Sequence, residues 1–84
     1  MPGADDPYRA AYVAIGAQIA AARLAEGLTQ EQLADRTGLH TVMVSRVERG
    51  RTNARLSTLL RIASGLGVDL GELVGGVTVP SERG

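Results

Sequence analysis

The segment from Thr29 to Gly50, TQEQLADRTGLHTVMVSRVERG, constrains this chain more than any other. Thr29, with Gln32 three residues on, has the pattern of a capping box, in which side chains and backbone satisfy each other at a helix start. Leu33 and Ala34 supply an inward face. Gly38 then interrupts the pattern where a tight turn wants a left-handed residue. A second helix follows over roughly Thr41 to Arg49, with Gly50 as its stop. Its apolar Val44 and Val47 share one face, while Val42, Ser45, Arg46 and Arg49 fall on the other. Two short helices around one glycine turn, the second exposing methyl, hydroxyl and guanidinium groups, have the shape of an element that enters a DNA groove.

The remaining sequence supplies a bundle for that pair to pack in. Asp6 is suited to cap a first helix with Pro7 at its first position. Tyr12, Ile15, Ile19 and Ala22 recur at helical spacing, and Gly27 closes the helix. Leu39 packs in the interhelical turn. Residues 50–55, GRTNAR, form a polar loop. A fourth helix is expected from Leu56 to Leu66, with Leu56, Leu59, Leu60, Ala63 and Leu66 inward and Gly65 and Gly67 at its end. Val68 leads to a short fifth helix with Asp69 as cap, Glu72 at the capping-box position, and Leu70 and Leu73 as apolar contacts. No segment alternates persistently enough for a sheet. The expectation is an all-α, compact five-helix bundle. It divides into an N-terminal extension of the first helix (1–14), a helix-turn-helix DNA-binding domain (15–74) and a C-terminal tail, GGVTVPSERG (75–84), loose unless a partner holds it.

Composition narrows the function classes. With no cysteine, disulfides and thiolate metal sites are unavailable, and the single histidine, His40, argues against a protein-only zinc site. No apolar run approaches the roughly 20 residues that span a bilayer. The opening MPGADDPYR does not read as a secretory signal, so a cytoplasmic, nucleoid-associated protein is expected. Tyr8 and Tyr12 are the only aromatic residues, too few for a platform that stacks single-stranded bases. The formal net charge is zero, yet the charge is not evenly spread. From 46 to 61, Arg46, Arg49, Arg51, Arg55 and Arg61 stand against Glu48 alone. Basic charge concentrated in one segment is what a phosphate backbone attracts. All nine basic residues are arginine, which suits bidentate contacts, although codon usage in a GC-rich genome gives the same preference.

The stretch Ile15 to Val74 resembles the lambda-repressor-like helix-turn-helix family, also called Xre or Cro-repressor type. The likeness is carried by Gly27-Leu28-Thr29-Gln30, Leu33-Ala34, Gly38, Val44-Ser45, Glu48-Arg49-Gly50, Ile62-Ala63 and Leu66-Gly67-Val68, in order and at matching separations. It implies five helices, the third entering the major groove and the start of the second gripping a phosphate. The major groove accepts one α-helix, and amides at a helix N-terminus make an anion site. Thr29 and Gln30 are accordingly assigned to phosphate, Thr29 also serving as a cap.

Base reading is assigned to Thr41, Val42, Ser45 and Arg46. Arg46 can bond guanine O6 and N7, or a phosphate, or remain solvated. Val42 can offer only methyl contact, for instance to thymine. Ser45 suits base or backbone. Met43 lies nearer the inward side. Arg49, Arg51, Asn53 and Arg55 are assigned to phosphates, the alternative being a merely solvated polar loop. Arg55 and Ala54 depart from the family, which often has a small capping residue and a proline there; both leave the loop's path open. The resemblance also implies a partly buried, structural ion pair between Arg23 and Glu48. His40 stands where the family usually has a Ser or Thr cap; it is either an exposed turn residue or, when protonated, a pH-sensitive phosphate contact.

Nothing converges into catalytic machinery: there is no cysteine nucleophile, no supported Ser–His–acid order and no phosphate loop of Walker type. The expected function is that of a sequence-specific DNA-binding transcriptional regulator, without cofactor, metal or membrane partner. It would bind an inverted-repeat operator on double-stranded DNA as a homodimer, with Leu70, Leu73 and Val74 as the dimer surface or as simple intramolecular packing. The rival reading is a protein-interaction module, such as the antitoxin of a toxin–antitoxin pair, gripping a toxin or another regulator through Val77-Thr78-Val79 added to a sheet edge.

Overall fold

The computed structural model describes residues 6–81. Among them lie five helices and no strand: α1 (Arg9–Ala25), α2 (Gln30–Thr37), α3 (Thr41–Glu48), α4 (Leu56–Leu66) and α5 (Leu70–Val74). Each helix sends a side chain to one core: Ile19 from α1, Leu33 from α2, Val44 from α3, Ile62 and Leu66 from α4, and Leu73 from α5, all essentially without solvent exposure. Burial of an aliphatic side chain of this size is worth about 1.5–3 kcal/mol. The helices are short, so this shared burial rather than intrinsic propensity holds them.

The helix ends show which local signals operate. α1 starts two residues later than the Asp6–Pro7 signal predicts, with Tyr8 at its N-cap position. The Asp6 carboxylate accepts the Tyr8 amide at 2.8 Å and the Asp6 carbonyl accepts that of Arg9 at 3.2 Å. Asp6 therefore closes a turn ahead of the helix. At the other end the Leu28 amide donates to the Arg23 carbonyl at 3.1 Å, the long bond of a Schellman ending. The capping box at α2 is complete. Thr29 Oγ1 accepts the Gln32 amide at 3.1 Å, and Gln32 Oε1 accepts that of Thr29 at 2.9 Å. The matching signal at α5 fails: Asp69 holds the N-cap position, but its carboxylate makes no cap bond. α5 is held by Leu73 in the core and by the Gln18 side-chain amide, which donates to the Leu73 carbonyl.

The α2–α3 turn is set by two residues. Gly38 adopts φ +73°, a conformation costly to any residue with a Cβ. The buried Thr37 hydroxyl donates to the Leu33 carbonyl at 2.9 Å, with that of Ala34 at 3.1 Å, and accepts the Leu39 amide at 3.3 Å. Thr37 therefore satisfies backbone groups on both sides of the turn.

α4 is rotated from its predicted phase. Leu56 and Leu60 are 62% and 49% exposed, and the inward stripe is Leu59, Ile62, Ala63 and Leu66. Six apolar positions cover more of a helix than one seam can bury, so two face out. Gly65 lies inside the helix, and Gly67 is the left-handed cap. Beyond α5, residues 75–81 carry neither helix nor strand. Val77 and Val79 border an apolar groove with Tyr8, Ala11, Tyr12, Ile15 and Val74. Among the described residues no helix is long and apolar enough to cross a membrane.

Candidate nucleic-acid interface

α3 is anchored by its inner face and open on its outer one. Val44 and Val47 are buried, whereas Val42 is 62% exposed and Arg46 and Arg49 face solvent. The first turn of α3 sends three consecutive side chains into three different recesses, as the 100° advance per residue requires. Thr41 borders a hollow with Arg23, Gly27, Thr29 and Gln30 at the start of α2. Val42 borders a shallow groove with Ser45, Arg46, Arg49 and Arg51. Met43 borders a third with Thr52, Asn53, Ala54 and Arg55, and packs against the core as its inward position implies.

This partition regroups the residues singled out above. Val42, Ser45 and Arg46 lie together, joined by Arg49 and Arg51. Thr41 sits apart from them, with Thr29 and Gln30. Asn53 and Arg55 sit apart again, on the loop that leads into α4. Arg55 takes the N-cap position of α4 with extended backbone and no side-chain cap bond, and Ala54 packs half-buried against the core. His40 takes the N-cap position of α3, exposed and likewise without a side-chain cap bond.

Among the described residues the guanidinium groups of Arg46, Arg49, Arg51 and Arg55 have no carboxylate partner, so their charge is free to act outward. Arg23 contrasts with them. Its Nε donates to Glu48 Oε2 at 2.7 Å, its Nη2 to Glu48 Oε1 at 3.0 Å, and its Nη1 to the Leu28 carbonyl at 2.8 Å. The side chains are 12% and 5% exposed. The hydrogen bond to Glu48 raises the Arg23 pKa above its ordinary value, with burial opposing and the Glu48 charge assisting. The pair fixes α1 to the C-terminal end of α3. Glu48 Oε1 also accepts the Gln30 side-chain Nε2 at 3.0 Å.

At the start of α2, Thr29 Oγ1 already accepts one hydrogen bond, so its proton remains free to donate. The Gln30 and Glu31 amides head the helix, where no intrahelical acceptor exists. Hydroxyl and amides together form an anion-seeking terminus beside Thr41.

Of the residues expected as a dimer surface or as intramolecular packing, Leu73 has no solvent exposure and takes the second role, as the core anchor of α5. Val74 is half-buried against the same core, and Leu70 is half-buried outside it. Sequence reasoning also passed over Gly16, Gln18 and Thr37, which set how the helices meet. A glycine in mid-helix was a usable signal, since it costs stability unless something needs the space.

A short helix buried on one side, presenting an unpaired basic and methyl-bearing groove on the other, beside an anion-seeking helix start, defines a helix-turn-helix DNA-binding module. Residues 19–73 match the family model described as helix-turn-helix, and this chain belongs to that lambda-repressor-like family. It is a family of DNA-binding transcription regulators and not of enzymes. The control protein C.SmaI of Serratia marcescens is 32% identical over the full length of both chains. An uncharacterized HTH-type transcriptional regulator of Sinorhizobium fredii is 42% identical over 60 residues, 71% of this chain and 78% of its own. Among solved structures, the restriction-modification controller protein C.AhdI from Aeromonas hydrophila shares 39% identity at a TM-score of 0.73, covering 74% of this chain and 94% of that one.

Proposed function

We propose that this regulator binds an inverted-repeat operator as a homodimer, with α3 of each copy in the major groove of one half-site and the half-sites about one helical turn, ~34 Å, apart. The observation that carries the reading is the groove formed by Val42, Ser45, Arg46, Arg49 and Arg51 on the open face of a helix whose other face is locked in the core. Arg46 bonds guanine, Val42 meets a thymine methyl, and Ser45 serves base or sugar. Arg49 and Arg51, flanking them, hold phosphates, as do Asn53 and Arg55 farther along the loop. Thr41 works at the margin, grouped with the phosphate-holding Thr29 and Gln30.

An eight-residue reading helix reaches few base pairs, so pairing of two copies supplies the missing discrimination. The surface for pairing is Leu70 with the exposed edge of Val74 on α5. The regulator acts on the nucleoid, in the cytoplasm. The type of regulator best supported is a restriction–modification controller, because the control protein C.SmaI aligns over both full lengths and C.AhdI over nearly all of its own.

The test is selection from random-sequence duplex DNA. A two-fold symmetric consensus is the expected outcome. Enrichment of nothing above background overturns sequence-specific binding, and an asymmetric half-site alone overturns the dimer.

A further inference from the structure

We propose that Glu48 is a positioning residue for DNA binding: it orients the Gln30 carboxamide so that one N–H is held inside the protein and the other faces the DNA backbone. This rests on the reading above, in which the start of α2 holds a phosphate.

The Gln30 Nε2 lies 3.0 Å from Glu48 Oε1, and the same oxygen accepts Arg23 Nη2 at 3.0 Å. A carboxylate is only an acceptor, so the nitrogen of the amide, not its oxygen, must face Glu48. A free glutamine side chain presents oxygen and nitrogen with equal ease, and an oxygen turned toward a phosphate repels it. Fixing the nitrogen edge removes that wrong state before DNA arrives. It also moves the loss of side-chain freedom from binding to folding, which favours affinity. Glu48 brings a negative charge close to the phosphate site, but Arg23 holds it through two bonds, so the pair is neutral as a unit. One carboxylate thus ties α1, α2 and α3 together at the point where phosphate holding and base reading meet.

A double-mutant cycle on the full chain separates positioning from mere stability. Association with a mixed-sequence duplex of roughly two helical turns is measured for wild type, Gln30→Ala, Glu48→Gln and the double variant. Loss of the Glu48 charge alone strengthens attraction to the polyanion, but that effect is common to both backgrounds and cancels in the cycle. The expected coupling between the two sites is about threefold or more in the association constant. If Gln30→Ala weakens binding and the cycle closes without coupling, positioning is overturned while the phosphate reading stands. If Gln30→Ala has no effect, both fall.

A second measurement needs no variant at Glu48. In the NMR spectrum of the wild-type protein, duplex addition is expected to shift one Gln30 side-chain amide proton and leave the other, held by Glu48, in place. Equal movement of both protons overturns the proposal.

Discussion

Gly16 of α1 meets Val47 of α3 backbone to backbone. A Cβ on Gly16 would stand 2.5 Å from the Glu48 carbonyl oxygen and closer still to that of Val47. The absent side chain is what lets α1 cross the C-terminal end of α3 at the depth that joins Arg23 to Glu48. Gly16→Ala gains helix propensity but drives a methyl into rigid backbone. The expected net effect is destabilisation of about 1–3 kcal/mol. Gly71→Ala in α5 meets nothing within 4 Å and is expected to be neutral or to stabilise by up to about 1 kcal/mol. Thermal melts of the two variants check this, at about 4–8 °C per kcal/mol for a domain of this size. Equal shifts would remove the close-approach argument.

The Arg23–Glu48 pair should behave as a partly buried pair does when halved. Glu48→Ala leaves a guanidinium at 12% exposure without its carboxylate and is expected to cost about 3 kcal/mol. Replacing both partners with apolar residues of similar length, Arg23→Met with Glu48→Leu, should recover much of that loss, because no charge is then stranded. Denaturant unfolding of the single and double variants measures the difference.

How much of this was legible in the sequence depends on the kind of signal. The capping box at Thr29 and Gln32 and the turn at Gly38 were readable because each is a local rule with its own geometry. The same rule misfired at Asp69, where Leu73 and Gln18 hold α5 through tertiary contacts that no local pattern announces. On α4, six apolar residues within eleven left the phase undetermined; tertiary packing buries Ile62 in the core and leaves Leu56 and Leu60 exposed. Exposure of Val42, Arg46 and Arg49 followed from helical periodicity. The grouping of Thr41 with Thr29 and Gln30 did not, since it depends on how α3 is seated against α2.

Tyr12 should lose its proton late. Burial first, then the charge of Asp6 and the hydrogen bond its hydroxyl donates to Asp6 Oδ2 at 3.2 Å, raise its pKa above the ordinary 10.0. The folded state therefore holds the proton more tightly than the unfolded chain does. The resulting stabilisation is fully present below pH 10.0 and is lost as pH rises through the elevated value. Alkaline titration of tyrosinate absorbance in a Tyr8→Phe background reads Tyr12 alone. Its midpoint should lie above that of the urea-unfolded chain, and Asp6→Asn should lower it.

Arg46 and Arg51 share one groove but are assigned different tasks, and binding can tell them apart. Arg46→Ala is expected to relax preference at one base step, removing about 1–3 kcal/mol of discrimination there. Arg51→Ala should weaken all sequences alike and reduce the slope of affinity against salt by about one unit. Both are read from binding to the selected duplex and its single-step variants at several salt concentrations. Uniform weakening by Arg46→Ala would move that side chain to the phosphate group.

Leu70 and Leu73 lie three residues apart on α5 and should answer substitution in opposite ways. Leu73 is fully enclosed, so Leu73→Ala opens a cavity in the core and is expected to cost about 2–5 kcal/mol whether or not copies pair. Leu70 is half-buried outside the core, so Leu70→Asp should leave each copy folded. If α5 forms the dimer surface, that charge disrupts it. Sedimentation should then change from dimer to monomer while helical circular dichroism is preserved, and the midpoint of unfolding should lose its dependence on protein concentration. Persistence of the dimer after Leu70→Asp would move the interface to Leu56 and Leu60, which are 62% and 49% exposed on α4. Leu60→Asp would in that case be the variant that separates the copies. Because α4 and α5 set the copies at different distances and angles, the two outcomes also imply different spacings between the two reading helices, which the half-site separation of the selected operator measures independently.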